Sequence, residues 1–178
     1  LKRFLIQLTI MEKTILGDDL EICRILNGMW QVAGGHGQID SGLAIQDMEK
    51  YQELGFTTWD LADIYGPAES LIGKFSKKTK QNFQAFTKFV PNPGPMSRSI
   101  VTHYIDESLK KMNADCIDLL QFHWWDYQDS SYLDALQHLS KLQNEGKIKH
   151  LGLTNFDTKR IKIIIEKGFK IISNQVQY

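Results

Sequence analysis

The sequence predicts an α/β fold in which right-handed strand–helix–strand units build a parallel sheet. Three observations predict it. Apolar residues recur at helical spacing in some stretches and run together in short Ile-, Val-, Phe- and Leu-rich blocks in others. From residue 41 onward the two patterns alternate. The joints are short and repeat one device: Gly55, Gly146 and Gly168 each close a helical pattern ahead of a strand, and Asn113 takes that place once. Both residue types tolerate the left-handed conformation that ends a helix. A doubly wound sheet and a (β/α)8 barrel both satisfy this pattern.

The elements follow in order. A first strand is expected at residues 26–30 and a helix at about 43–54, ahead of a strand at 57–60. A helix at 68–77 leads into the strand at 84–90. The clearest helix spans 97–112, where Ser97 is placed as N-cap and Ile100, Val101, Tyr104, Ile105, Leu109 and Met112 form one stripe. A strand at 117–122 and a helix at 131–144 come next, the latter turning Leu133, Leu136, Leu139 and Leu142 inward. After the strand at 148–153, a helix begins beyond Asp157 with Ile161, Ile164 and Ile165 as its apolar face, and a strand at 171–176 closes the series. Gly34-Gly-His-Gly37 reads as a flexible loop, because it lacks the Gly-x-Gly-x-x-Gly spacing of a dinucleotide fold, and no Walker loop occurs.

Composition narrows the function. A chain of 178 residues with 42% hydrophobic and 24% charged residues suits one folded domain and excludes a disordered chain. Twenty-one basic residues balance 21 acidic ones, which argues against a nucleic-acid partner. No apolar run approaches the ~20 residues of a membrane span, so no membrane partner is expected. Cys23 and Cys116 are too few for a disulfide scaffold and suit a reducing, cytoplasmic compartment. The cysteines and the five histidines show no metal-ligand spacing. Residues 1–10 carry two positive charges and then apolar residues, faintly like a targeting signal, but the core is short and no small-residue cleavage site follows. The preferred division is therefore an N-terminal extension at 1–10, of upstream or non-native residues, and a single domain at 11–178.

In a barrel the chemistry sits at the C-terminal ends of the strands. Those ends carry polar groups in succession: Asp60 with Tyr65 following, then Lys88, then His123, then Thr154 and Asn155, then Asn174 and Gln175. Singly, each has a structural use. Asp60 suits a turn, Tyr65 a half-buried loop, His123 a satisfied core site, and Asn155 a helix cap that Asp157 also offers. Lys88 is harder to place, since a lysine inside Phe86-Thr-Lys-Phe-Val90 must either snorkel out or be paired. Together the groups have a chemical logic. A phenol with pKa ~10 is a poor acid at neutral pH, and a neighbouring ammonium lowers that value. A carboxylate fixes the lysine, and a histidine beside the phenol holds a carbonyl in line. Such a set donates a proton to a carbonyl oxygen while a hydride reaches the carbon, and it calls for no metal.

At this point the chain resembles an aldo-keto reductase over about residues 11–178. Gly28-Met-Trp-Gln31 resembles the family's first-strand segment. Trp59-Asp-Leu-Ala-Asp-Ile-Tyr-Gly66, with Glu69, resembles Asp-Thr-Ala-x-x-Tyr-Gly-x-Glu, with Leu61 in place of Thr. Asp118-Leu-Leu-Gln-Phe-His123 resembles the strand that ends in the family's catalytic histidine. Gly152-Leu-Thr-Asn-Phe156 resembles Gly-x-Ser-Asn-Phe, and Asn174-Gln-Val-Gln-Tyr178 resembles Asn-Gln-Val-Glu-Tyr.

The resemblance implies a (β/α)8 TIM-type barrel, here incomplete, with about its first six strand–helix units present. It implies NAD(P)H-dependent reduction of aldehydes and ketones, NADPH being the family's preferred cofactor and a small carbonyl compound the partner. Tyr65 would be the general acid, tuned by Lys88 and Asp60, with His123 orienting the carbonyl. Thr154, Asn155 and Gln175 would hold the nicotinamide carboxamide, Asp60 would also meet the ribose, and Met29 and Trp30 would line the nicotinamide. Trp30, Trp124 and Trp125 would form the substrate pocket. About two further strand–helix units would carry the stacking aromatic, the pyrophosphate loop and the 2′-phosphate grip. Their absence here leaves two alternatives, an impaired or regulatory cofactor-binding module and an inactive truncated fragment, and an open barrel would expose sheet edges through which the chain could self-associate.

Overall fold

The computed structural model describes residues 11–34, 37 and 39–177. The expected extension at 1–10, Gly35 and His36 of the glycine-rich loop, and Tyr178 lie outside the described residues.

A hairpin of β1 (Lys13–Leu16) and β2 (Leu20–Cys23) comes first. The parallel units follow: β3 (Asn27–Gly28), a 3-10 turn at Trp30–Ala33, α1 (Ser41–Glu53), β4 (Thr58–Asp60) and α2 (Ala68–Ser76). Then come β5 (Gln84–Phe89), α3 (Arg98–Met112), β6 (Ile117–His123), α4 (Tyr132–Asn144), β7 (Ile148–Thr154), α5 (Thr158–Glu166) and β8 (Asn174–Gln175). The six strands β3 to β8 lie in chain order and pair in parallel throughout, the curled sheet of an incomplete (β/α)8 barrel.

The caps act where the sequence places them. Ser97 accepts the Ile100 N–H, and Asp157 accepts the Arg160 N–H at 2.8 Å. Asn113 ends α3 in the left-handed conformation at φ 52°. The α3 stripe is narrower than the periodicity suggested: Val101, Ile105, Leu109 and Met112 are buried, but Ile100 and Tyr104 are exposed.

Strand alternation separates two interiors. On the outer face, Phe89, Leu120, Phe122, Leu151 and Leu153 pack under α3 and α4, while Trp59 and Ala85 pack under α1 and α2. On the inner face, Phe86 and Leu119 meet Leu20 and Ile22 of the hairpin. The hairpin thus plugs the barrel at the N-terminal ends of the strands. Asp19 in its turn meets Lys149 at 3.2 Å and His150 at 3.0 Å, and the Cys23 N–H donates to Thr58 Oγ1 at 3.0 Å. This hairpin was not read from the sequence. The first strand is also shorter than expected, because the chain leaves the sheet after Gly28 and Trp30 enters the 3-10 turn. The last pairs only at Asn174 and Gln175. Among the described residues, no helix is long and apolar enough to cross a membrane. With the hairpin filling one end, the other end of the interior is left to polar side chains.

Candidate active site

Register decides which polar groups meet. Pairing sets Lys88 beside Gln121, His123 beside Thr154, and Thr154 beside Gln175. On β5 the inner face holds Phe86 and then Lys88, so the lysine rises directly above the apolar plug.

Lys88 is buried and resolves its burial by pairing. Its Nζ donates to Asp60 Oδ1 and Oδ2, both at 2.7 Å, and to the Leu61 carbonyl at 3.0 Å. Those three contacts use all three ammonium hydrogens. Asp60, 9% exposed, also accepts Gln121 Nε2 at 2.7 Å and Gln175 Nε2 at 3.2 Å. A buried ion pair is tolerated when extra donors satisfy the remaining lone pairs, and the two glutamines supply them. Burial holds the Lys88 ammonium below its ordinary pKa, against the pull of Asp60.

Tyr65 lies on the loop after β4. Its ring centroid is 5.2 Å from Lys88 Nζ and 5.0 Å from the Trp30 ring, which meets it edge-on. Burial and the Asp60 charge push the phenol pKa up. This reverses the sequence-based expectation of a lowered value. The ammonium is neutralised by Asp60 and its hydrogens are spent, so desolvation decides the sign.

His123 ends β6, half-buried, with its ring 4.3 Å from that of Trp125. Burial and then Lys88 lower its pKa, which favours a neutral imidazole with one donor and one acceptor. Beyond β7, Asn155 adopts the left-handed conformation at φ 60°. Its N–H donates to the Gln175 carbonyl at 2.8 Å, and its own carbonyl accepts the Tyr127 hydroxyl at 2.9 Å. The Asn174 amide brackets Phe156, accepting its N–H at 3.2 Å and donating to its carbonyl at 2.9 Å. The loop is therefore held from both sides. Thr154 is buried, and its Oγ1 has no hydrogen-bond partner.

One cleft of about 380 Å³ gathers these groups. Trp30, Tyr65, Lys88 and His123 form part of its wall, and Trp125, Thr154, Asn155 and Gln175 another part. Trp30 and Trp125 are more than half exposed, at 55% and 57%, and stand at its rim. Ile64, Val90, Val176 and Gln177 complete it and were not singled out from sequence.

Two expected pocket residues are elsewhere. Trp124 is 1% exposed and packs on Phe122 in the outer core, where its indole N–H donates to the carbonyls of Asp126 and Asp129. Strand alternation past His123 sends it outward. Met29 is buried against the α1 layer and lines a separate groove of about 740 Å³, while its N–H continues the sheet to the Asp60 carbonyl at 2.9 Å. The early end of β3 turns its side chain away from the cleft. Asp60, expected to meet a ribose as well, has both oxygens engaged within the protein. Gln121 was missed, although it shares the inner face of β6 with His123 and is a polar residue in an apolar run.

The model of the aldo/keto reductase family matches residues 24–178. The chain belongs to that family. As an aldo/keto reductase it is 28% identical over 188 residues to a 6-dehydroglucose reductase of Agrobacterium fabrum, covering 94% of this chain and 62% of the relative. It is 30% identical over 155 residues to a methylglyoxal reductase of Escherichia coli O157:H7, covering 85% of this chain and 54% of the relative. Its fold matches a thermostable aldo-keto reductase solved with the inhibitor epalrestat, with a TM-score of 0.82 and 26% identity, covering 94% of this chain and 63% of that one. The chain spans between about half and two thirds of the length of these relatives.

Proposed function

We propose that this aldo/keto reductase chain carries the acid–base half of an NAD(P)H-dependent carbonyl reductase, with Tyr65 as general acid toward a small aldehyde or ketone. One observation carries the reading: Tyr65 and His123 open onto a single cleft above a buried Lys88–Asp60 pair. The reductase names of the Agrobacterium and Escherichia relatives support the carbonyl class.

The cleft suits a nicotinamide. Thr154 Oγ1 is buried without a partner, and the Asn155 and Gln175 amides lie beside it on the same wall. A carboxamide both donates and accepts, and so matches that set. When bound, the reduced cofactor supplies a hydride to the carbonyl carbon. NADPH is proposed over NADH on the family resemblance. His123, neutral, donates one hydrogen bond to the carbonyl oxygen and fixes its direction. Tyr65 hands its proton to that oxygen as negative charge develops there. Of the three Lys88 N–H groups, the one on the Leu61 carbonyl, at 3.0 Å, makes the only bond to a neutral acceptor. It is the group freest to turn toward a forming phenolate. Both cysteines are free, which supports a cytoplasmic setting.

Consumption of NADPH with a panel of aldehydes tests this. Tyr65→Phe should lower kcat about 100-fold or more and leave cofactor affinity by fluorescence titration unchanged. Normal turnover in that variant removes Tyr65 from the mechanism. The raised Tyr65 pKa favours one second reading, a cofactor-binding module with negligible turnover, and saturable NADPH binding without reduction of any aldehyde would select it.

A further inference from the structure

The loop that carries Tyr65 turns away from β5 at Asp63. Beyond Asp60, where β4 ends, it still donates to β5 at the spacing of a parallel ladder: the Leu61 N–H to the Phe86 carbonyl at 2.9 Å, and the Asp63 N–H to the Lys88 carbonyl at 3.1 Å. The same parallel register, continued, would send the Val90 N–H to the main-chain carbonyl of Asp63. Instead that N–H meets Asp63 Oδ2 at 3.1 Å. The side chain has taken the place of its own backbone carbonyl, which frees the chain to turn. Two residues later the Tyr65 N–H closes that turn on the Ala62 carbonyl at 3.0 Å.

We propose that Asp63 is a positioning residue, whose carboxylate stands in for a main-chain ladder acceptor and so holds Tyr65 over the Lys88–Asp60 pair. The proposal rests on the reading of Tyr65 as the acid. Asp63 does not touch the cleft and acts through the turn.

Its surroundings make the hold depend on pH. Asp63 Oδ1 is buried with no hydrogen-bond partner, as is Glu69 Oε2 on α2. Glu69 Oε1 is satisfied by Thr87 Oγ1 at 2.8 Å, and Lys111 on α3 approaches Glu69 Oε2 at 3.5 Å. The charged groups acting on Asp63 are thus Glu69 from α2, which disfavours its ionisation, and Lys111 from α3, which favours it; Asp63 in turn acts on Lys88 of β5. Burial, opposed by the Val90 N–H, raises the Asp63 carboxyl from 3.8 to about 6. Below that pH a neutral carboxyl replaces the carboxylate and is a weaker acceptor for the Val90 N–H.

Amide hydrogen exchange at Val90, followed on the full chain with Asp63→Asn and Asp63→Ala, tests this without any need for turnover. In the parent chain, protection of Val90 should fall several-fold between pH 7 and pH 5, relative to Leu61 and Asp63. Asp63→Asn, still an acceptor, should keep the protection and lose its pH dependence. Asp63→Ala should lose it at every pH, and with it the edge-on contact of Tyr65 with Trp30, read as a change in Trp30 fluorescence against a Trp30→Phe control. Equal Val90 protection in all three chains, or an alanine variant whose Tyr65–Trp30 contact is unchanged, overturns the proposal. If the chain turns over carbonyls, Asp63→Ala should lower kcat about tenfold with KM nearly constant, and Asp63→Asn should restore it. If it does not, the exchange and fluorescence results still decide the role of Asp63, while the failure falls on the assignment of Tyr65.

Discussion

Replacing Lys88 by methionine removes one charge from the centre of the site and keeps most of the stem volume. Asp60 would then retain Gln121 at 2.7 Å and Gln175 at 3.2 Å, but lose two charge-assisted bonds of 2.7 Å. Deleting one partner of a buried pair costs roughly 3–5 kcal/mol, because the other charge stays buried and uncompensated. For a chain of 178 residues this lowers Tm by roughly 8–14 °C. Lys88→Met combined with Asp60→Asn removes the stranded charge and should return to within about 1 kcal/mol of the parent, since neutral replacement of a buried pair is often tolerated. Urea unfolding of the four chains at pH 8 closes the cycle. A coupling of about 2 kcal/mol or more is expected. A coupling below about 0.5 kcal/mol at pH 8, the level of independent sites, would refute the account of Lys88 and Asp60 as one buried unit.

Two further substitutions probe the frame around the cleft. At Gly73, where α2 meets α3, an added Cβ would fall 2.1 Å from the Lys111 carbonyl oxygen and 3.1 Å from the Met112 carbonyl carbon. Both are backbone atoms, so Gly73→Ala should force the helices apart and cost about 1–3 kcal/mol, seen as a lower urea midpoint. Trp124→Phe loses the indole bonds to Asp126 and Asp129 and should cost about 1–3 kcal/mol, with NADPH affinity by fluorescence titration unchanged. A marked loss of affinity would put Trp124 back in the pocket.

The helical elements were legible because each carries a local cause, a cap or a closing glycine or asparagine beside a periodic stripe. Ser97, Asp157 and Asn113 act where local chemistry places them. The pairing of Lys88 was legible for a different reason, since a charge inside an apolar run needs a partner wherever the strand lies. The hairpin at residues 13–23 lay outside this reasoning. Its strands are short, and what fixes them is the empty barrel end that Leu20 and Ile22 fill. Trp124 and Met29 were misplaced because adjacency in sequence to His123 and Trp30 does not survive the side-chain alternation of a strand or its early end. Gln121 was overlooked because its value depends on reaching Asp60 from a neighbouring strand, 61 residues away in the chain.

Local physics, written in capping groups, apolar periods and one lysine that could not stay alone, was enough to settle the order of strands and helices and which end of the sheet would hold polar groups. The direction of the Tyr65 pKa was not settled there. It depends on how Lys88 spends its three hydrogens and how much water reaches the phenol. Those quantities exist only once distant strands are in register, because hydrogen-bond capacity and desolvation belong to the assembled neighbourhood and not to any residue in it.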